Sequence, residues 1–93
     1  MEPSTVTQTT AQTLNHSQAI REVLAKHGRL SIDIFSLDEN GDLYGVGLTS
    51  LATVGIMLAL EERFDIEFPE SKLSRATFRS VATIAEAVSD LVG

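Results

Sequence analysis

The run from Thr49 to Phe64, TSLATVGIMLALEERF, constrains the fold more than any other part of the chain. It contains no proline, a single glycine and a Thr–Ser pair at its start, so the sequence predicts a helix from Thr49 or Ser50 to Phe64. At about 100° per residue, Thr53, Ile56, Met57, Leu60 and Phe64 share one arc, which suits a core face. Leu51, Val54 and Leu58 form a second apolar arc. Ala52, Gly55 and Ala59 make a third side that is small rather than charged. Only Glu61, Glu62, Arg63 and Asp65 look like ordinary solvated surface. A helix apolar over this much of its circumference is either buried centrally in a bundle or offers one side to a partner. In the second case, the small residues would let another backbone come close.

Around this helix the pattern is consistent with an all-α fold, a small three-to-four-helix bundle with a long first loop. Residues 1–14, rich in Thr and Gln, bury too little to offset their ordering entropy and are expected to form a disordered tail ahead of a 15–93 domain. A first helix is expected from Ser17 to His27, capped by Asn15 or Ser17, with Lys26 and His27 at its negative end and Gly28 as a left-handed stop. Leu30 to Leu48 lacks helical spacing; Ile32 and Ile34 alternate briefly, but too little chain is present to pair a strand. So long a loop is expected to be functional or pinned by its own apolar anchors. A short helix is expected near Ser71 to Arg75, and a last one from a Ser80 cap carries Val81, Ile84, Val88 and Leu91 on one face. The predicted core is Ile20, Val23, Leu24, Ile56, Leu60, Phe64, Phe68, Val81, Ile84 and Val88.

Composition narrows the function. The 93 residues carry 7 Lys and Arg against 13 Asp and Glu, a net charge of −6. Phosphate backbones and anionic lipid would be repelled, so neither nucleic acid nor membrane is an expected partner. With no long apolar run and no basic-then-apolar leader, a cytoplasmic monomer is expected. The absence of cysteine excludes disulfides, thiolate metal sites and a cysteine nucleophile. Asp38, Asn40 and Asp42 resemble the start of a calcium loop, but its obligatory glycine would fall on Leu43 and its closing glutamate on Thr49. His16 and His27 have no ligand set beside them. Glu61 and Glu62 are adjacent, point about 100° apart and cannot flank one substrate as acid and base. Ser50 has no histidine near it in sequence to act as a base. The chain is therefore expected to have no catalytic residues and no metal site.

Thr49 and Ser50 compete for the cap of this helix. If Thr49 caps the helix, Ser50 is its first residue and its hydroxyl is free near the positive helix end, a favourable place for phosphate. If Ser50 is the cap, the hydroxyl is occupied and the role is structural.

The segment DLYGVGLTSLATVGIMLALEERFDIEFPE resembles the acyl and peptidyl carrier protein family. In that family a D-L-x-x-x-G-x-x-S-[LI] run opens the second helix and L-E-x-x-F-x-[IV]-x-[IVF]-P closes it. The matching residues are Asp42, Leu43, Gly47, Ser50 and Leu51, then Leu60, Glu61, Phe64, Ile66, Phe68 and Pro69. The resemblance implies that Ser50 receives covalent 4′-phosphopantetheine from coenzyme A, installed by a phosphopantetheinyl transferase with magnesium, and that cargo is held as a thioester on its thiol. Gly47, Thr49, Leu51, Val54 and Leu58 would help dock the transferase and a cargo-loading ligase, and a downstream acceptor enzyme would take the cargo.

Fatty acid synthesis carriers usually have Asp-Ser-Leu here, carboxylates further along the helix and an acidic third helix. This chain has Thr49, Ala52, Gly55 and the stretch Ser71-Lys72-Leu73-Ser74-Arg75 instead. The pattern is more similar to small carriers that take an amino acid, D-alanyl carriers and stand-alone aminoacyl carriers among them. The G-L-x-S start and Phe78 resemble the latter, which are charged with ATP by ligases related to class II aminoacyl-tRNA synthetases. A small amino acid such as glycine or alanine is then the expected cargo. A fatty or polyketide acyl carrier is the alternative, and an unmodified helical adaptor binding through Leu51, Val54 and Leu58 is a second.

Overall fold

The computed structural model describes residues 4–92, with side chains from His16 onward; Met1 to Pro3 and Gly93 lie outside the described residues. Three α-helices carry the fold: α1 (Ser4–His27), α2 (Ser50–Phe64) and α3 (Val81–Val92). No strand occurs among the described residues. Helix α1 packs against both α2 and α3. No helix among the described residues is long and apolar enough to cross a membrane.

The core draws on every part of the chain. Ile20, Val23 and Leu24 come from α1, Ile56 and Leu60 from α2, and Val81, Ile84 and Val88 from α3. Ile34, Leu43 and Leu48 join them from the first loop, and Phe68 and Phe78 from the second connection. Each such burial is worth roughly 1.5–3 kcal/mol before chain entropy is counted. Of the ten predicted core residues only Phe64 is not fully buried. It lies at the C-terminal end of α2 and packs edge-on against the His16 ring, centroids 5.3 Å apart.

Several local expectations are corrected. Helix α1 starts at Ser4 rather than at Ser17 or Asn15, so residues 4–14, expected as tail, are helical. No proline or glycine interrupts the chain between Ser4 and His27, and nothing in the backbone forces a start at Ser17. Ser17 is instead buried within the helix, its hydroxyl 3.4 Å from the Glu39 carboxylate. At the other end Arg29, not Gly28, takes the left-handed conformation (φ 52°). Gly28 is required for a different reason: a β-carbon there would stand 2.6 Å from the Leu24 carbonyl oxygen. The short helix expected at Ser71 to Arg75 is a single 3-10 turn, Glu70–Lys72, followed by hydrogen-bonded turns through Arg79. Three residues suffice there because Pro69 supplies a fixed extended entry and Leu73 leaves the helical region.

The long first loop is pinned rather than loose. Asp33 caps a 3-10 turn at Ile34–Ser36, accepting from the Phe35 N–H, which is why Ile32 and Ile34 do not extend as a strand. Arg21 of α1 donates to the carbonyls of Ile34 (2.6 Å) and Leu37 (2.7 Å). Asp38 and Asp42 accept the N–H groups of Asn40 and Tyr44, closing local turns. The Leu43 N–H donates to Arg79 and the Ala82 N–H to Glu39, tying the loop to the start of α3. These bonds lead the loop to the N-terminus of α2.

Candidate functional site

The site is built where the loop enters α2. Gly47 ends a 3-10 turn at Tyr44–Val46 with φ 114°, a region that favours glycine. Ser31 fastens this turn from outside, both its N–H and its hydroxyl donating to the Val46 carbonyl. Leu48 then turns into the core and Thr49 takes an extended conformation as the cap. Thr49 Oγ1 accepts from the Ala52 N–H at 3.1 Å, and the Thr49 carbonyl accepts from the Thr53 N–H.

Ser50 is therefore the first residue of α2, and the choice left open by the sequence is resolved in favour of a Thr49 cap. The hydrogen bonds of the described residues use Ser50's carbonyl, which accepts from Thr53 Oγ1 at 2.6 Å, and leave its hydroxyl without a protein partner. The side chain is exposed. Its hydroxyl stands at the positive end of a 15-residue helix, with backbone N–H groups of the first turn still unengaged.

The second apolar arc of α2 faces outward. Leu51 is 84% exposed, Val54 51% and Leu58 54%. Central burial of the helix does not account for these residues. The small side behaves otherwise: Ala52 and Ala59 pack against the core, flanking Ile56 and Leu60, while Met57 and Phe64 cover the other flank. At Gly55 alone the space is open, since an added β-carbon would meet nothing within 4 Å.

Ser50 also lines a groove of about 370 Å³ with Thr53, Val54 and Met57 of α2, and with Tyr44, Leu73, Arg75 and Phe78 across from them. Leu73 is 46% exposed at its rim, whereas Phe78 is buried and packs against Phe68, centroids 5.8 Å apart. The Arg75 guanidinium lies 3.8 Å from the Tyr44 ring centroid, and the Tyr44 hydroxyl donates to the Arg75 carbonyl. Burial pushes the Tyr44 phenol above its ordinary range; Arg75 opposes that shift and Asp42 adds to it.

Sequence spacing locates Ser50 and the outward stripe but not the opposite wall of the groove. Leu73 and Arg75 stand out in sequence only as missing acids, because nothing local in S-K-L-S-R says which residues the turn at Glu70–Lys72 brings toward Ser50. Glu61, expected as solvated surface, serves the fold as well. Its carboxylate accepts the Phe68 N–H at 2.9 Å and folds the Phe68–Pro69 exit back onto α2.

The chain resembles known carrier proteins in sequence and in fold. Residues 18–88 match the family described as the phosphopantetheine attachment site. The chain is 46% identical over 69 residues to the aminoacyl carrier protein of Agrobacterium fabrum (strain C58), covering 74% of this chain and 83% of that protein. A chain in the crystal structure of an engineered Bradyrhizobium japonicum glycine:[carrier protein] ligase complexed with carrier protein from Agrobacterium tumefaciens and ATP superposes with a TM-score of 0.78. It is 42% identical, and the match covers 82% of this chain and 99% of that one. The corresponding complex with AMP gives 0.76 at 44% identity, covering 78% and 97%. The prosthetic group of such proteins is covalently attached 4′-phosphopantetheine, and they are not themselves catalytic. This chain belongs to the phosphopantetheine-binding carrier proteins, in the company of the small aminoacyl carriers.

Proposed function

We propose that Ser50 bears the 4′-phosphopantetheine and that the protein carries a small amino acid, loaded by a dedicated ATP-dependent ligase. The observation that carries this reading is the division of labour at the start of α2, where Thr49 caps the helix and the exposed Ser50 hydroxyl stays free. In the transfer reaction that oxygen attacks the pyrophosphate phosphorus of coenzyme A. A phosphodiester to Ser50 forms, adenosine 3′,5′-bisphosphate leaves, and the hydroxyl proton passes to a base of the transferase. Once bound, the group supplies the thiol on which cargo is held as a thioester. The residues present fit it: an unhindered hydroxyl, a positive helix end and an open groove alongside.

Gly47 and Thr49 shape the approach to Ser50, and Leu51, Val54 and Leu58 give transferase and ligase an apolar surface to read. The ligase resembles class II aminoacyl-tRNA synthetases in this reading, and a separate acceptor enzyme takes the amino acid. The carrier unit spans 15–93 and works as a cytoplasmic monomer without catalytic residues of its own. The relatives named as aminoacyl carriers, and the glycine ligase complexes that hold a similar chain, support an amino acid over a fatty acyl cargo.

The test is intact mass after incubation with coenzyme A, magnesium and a broad-specificity transferase. A gain of one phosphopantetheine on the parent and none on Ser50→Ala is expected. No gain on a folded parent, with several transferases tried, would leave an unmodified adaptor. With ATP and an amino acid:carrier ligase, the modified protein should take up glycine or alanine. Efficient loading by a fatty acid synthase transacylase instead would overturn the aminoacyl reading.

A further inference from the structure

We infer that Arg75 is a positioning residue for the phosphodiester on Ser50, an internal charge partner that holds the root of the prosthetic arm against the groove. This rests on Ser50 as the attachment point. Among the groove's lining residues Arg75 is the only charged one, and it shares that groove with Ser50. Its guanidinium lies over Tyr44 at 3.8 Å, which engages the face and leaves N–H edges available for an anion. The Tyr44 hydroxyl bond to the Arg75 carbonyl fixes the backbone beneath it. The ion pairs among the described residues are Arg63 with Glu22 and Lys72 with Asp90, so Arg75 is not committed to a carboxylate there.

Adding a phosphodiester to Ser50 places one negative charge between two positive features. One is the helix end, whose Ser50 and Leu51 N–H groups are not taken up by the Thr49 cap. The other is Arg75. The competing anion is Asp42, which lies with Tyr44, Arg75 and Arg79 around a neighbouring depression and already accepts the Tyr44 N–H. Tyr44 and Arg75 thus form the wall between the two hollows, and the modification would draw the guanidinium to the Ser50 side. A charge-assisted contact there would restrict the arm at its root while leaving its thiol end free to reach enzymes.

The test uses the full chain, modified by a transferase, with complete loading of every sample verified by mass before any spectrum is taken. Absence of the mass gain would therefore strike at Ser50 itself, and not at Arg75. The readouts are the 31P resonance of the phosphodiester and the Nε–Hε resonance of Arg75. Between apo and modified protein the Arg75 resonance should move by more than its linewidth. Arg75→Gln should shift and sharpen the 31P signal, Arg75→Lys should restore part of the shift, and Arg79→Gln should leave it in place. An Arg75 resonance that coincides in both forms would overturn the inference. So would a 31P signal equally sensitive to Arg79→Gln. The comparison of apo and modified parent needs no substitution, so it holds even if a variant fails to fold.

Discussion

Thr49 and Ser50 carry similar hydroxyls one residue apart, yet the backbone gives them opposite roles. Thr49, extended at φ −112°, can turn its oxygen onto the Ala52 N–H, whereas Ser50, already helical, keeps its own free of the helix end. The consequence is measurable as a contrast. Thr49→Ala should lower unfolding free energy by about 0.5–2 kcal/mol in urea titrations, while Ser50→Ala should change it by only a few tenths. Only the second should abolish phosphopantetheine uptake. Equal destabilisation by both would mean that the cap is shared. Sequence limits the choice to these two residues and cannot make it, because either assignment satisfies the same helix end. Likewise Arg29 rather than Gly28 is left-handed, since a clash with the Leu24 carbonyl, invisible in sequence, fixes the glycine for another reason.

At the scale of elements, α2 is legible in position and in its outward stripe, because both follow from spacing alone. The fate of its small side is not. Ala52 and Ala59 are half-buried and pack against the core, which only the packing reveals. Gly55 remains as the one small residue with open space beside it. Gly55→Ala should raise stability by roughly 0.5–1 kcal/mol, read from thermal or urea unfolding. Should the same substitution slow ligase loading of the modified protein, a partner's close approach is the reason for the glycine; unchanged loading would make it incidental. The second connection is the least legible element. Its turns are set by partners outside it, as when Glu61 accepts from Phe68 seven residues on.

Across the whole molecule, the order of the loop between α1 and α2 is foreshadowed only in part. Its apolar residues point to anchors, and Ile34, Leu43 and Leu48 serve as such. Nothing in the spacing hints that Arg21 ties α1 to two loop carbonyls thirteen and sixteen residues away. Bonds from a charged donor to part-buried carbonyls are worth about 1.5–3 kcal/mol when neighbours are left unsatisfied. Arg21→Met keeps the aliphatic stem and should cost about that much. Amide hydrogen exchange should quicken through the Asp33–Asp38 segment before it does in α2. Uniform exchange throughout the chain would show that the tether is redundant.

Because the cap sits on Thr49, the oxygen of Ser50 is thermodynamically idle in the folded chain. Attaching or removing a group there neither consumes nor returns a bond on which the helix depends. The two forms should therefore differ in melting only by what the phosphodiester gains from the helix end and from Arg75, with no loss from the cap. A cell could hold a standing reserve of folded, unmodified protein beside the working pool. Demand for charged carrier could then be met by modification of existing molecules rather than by fresh synthesis.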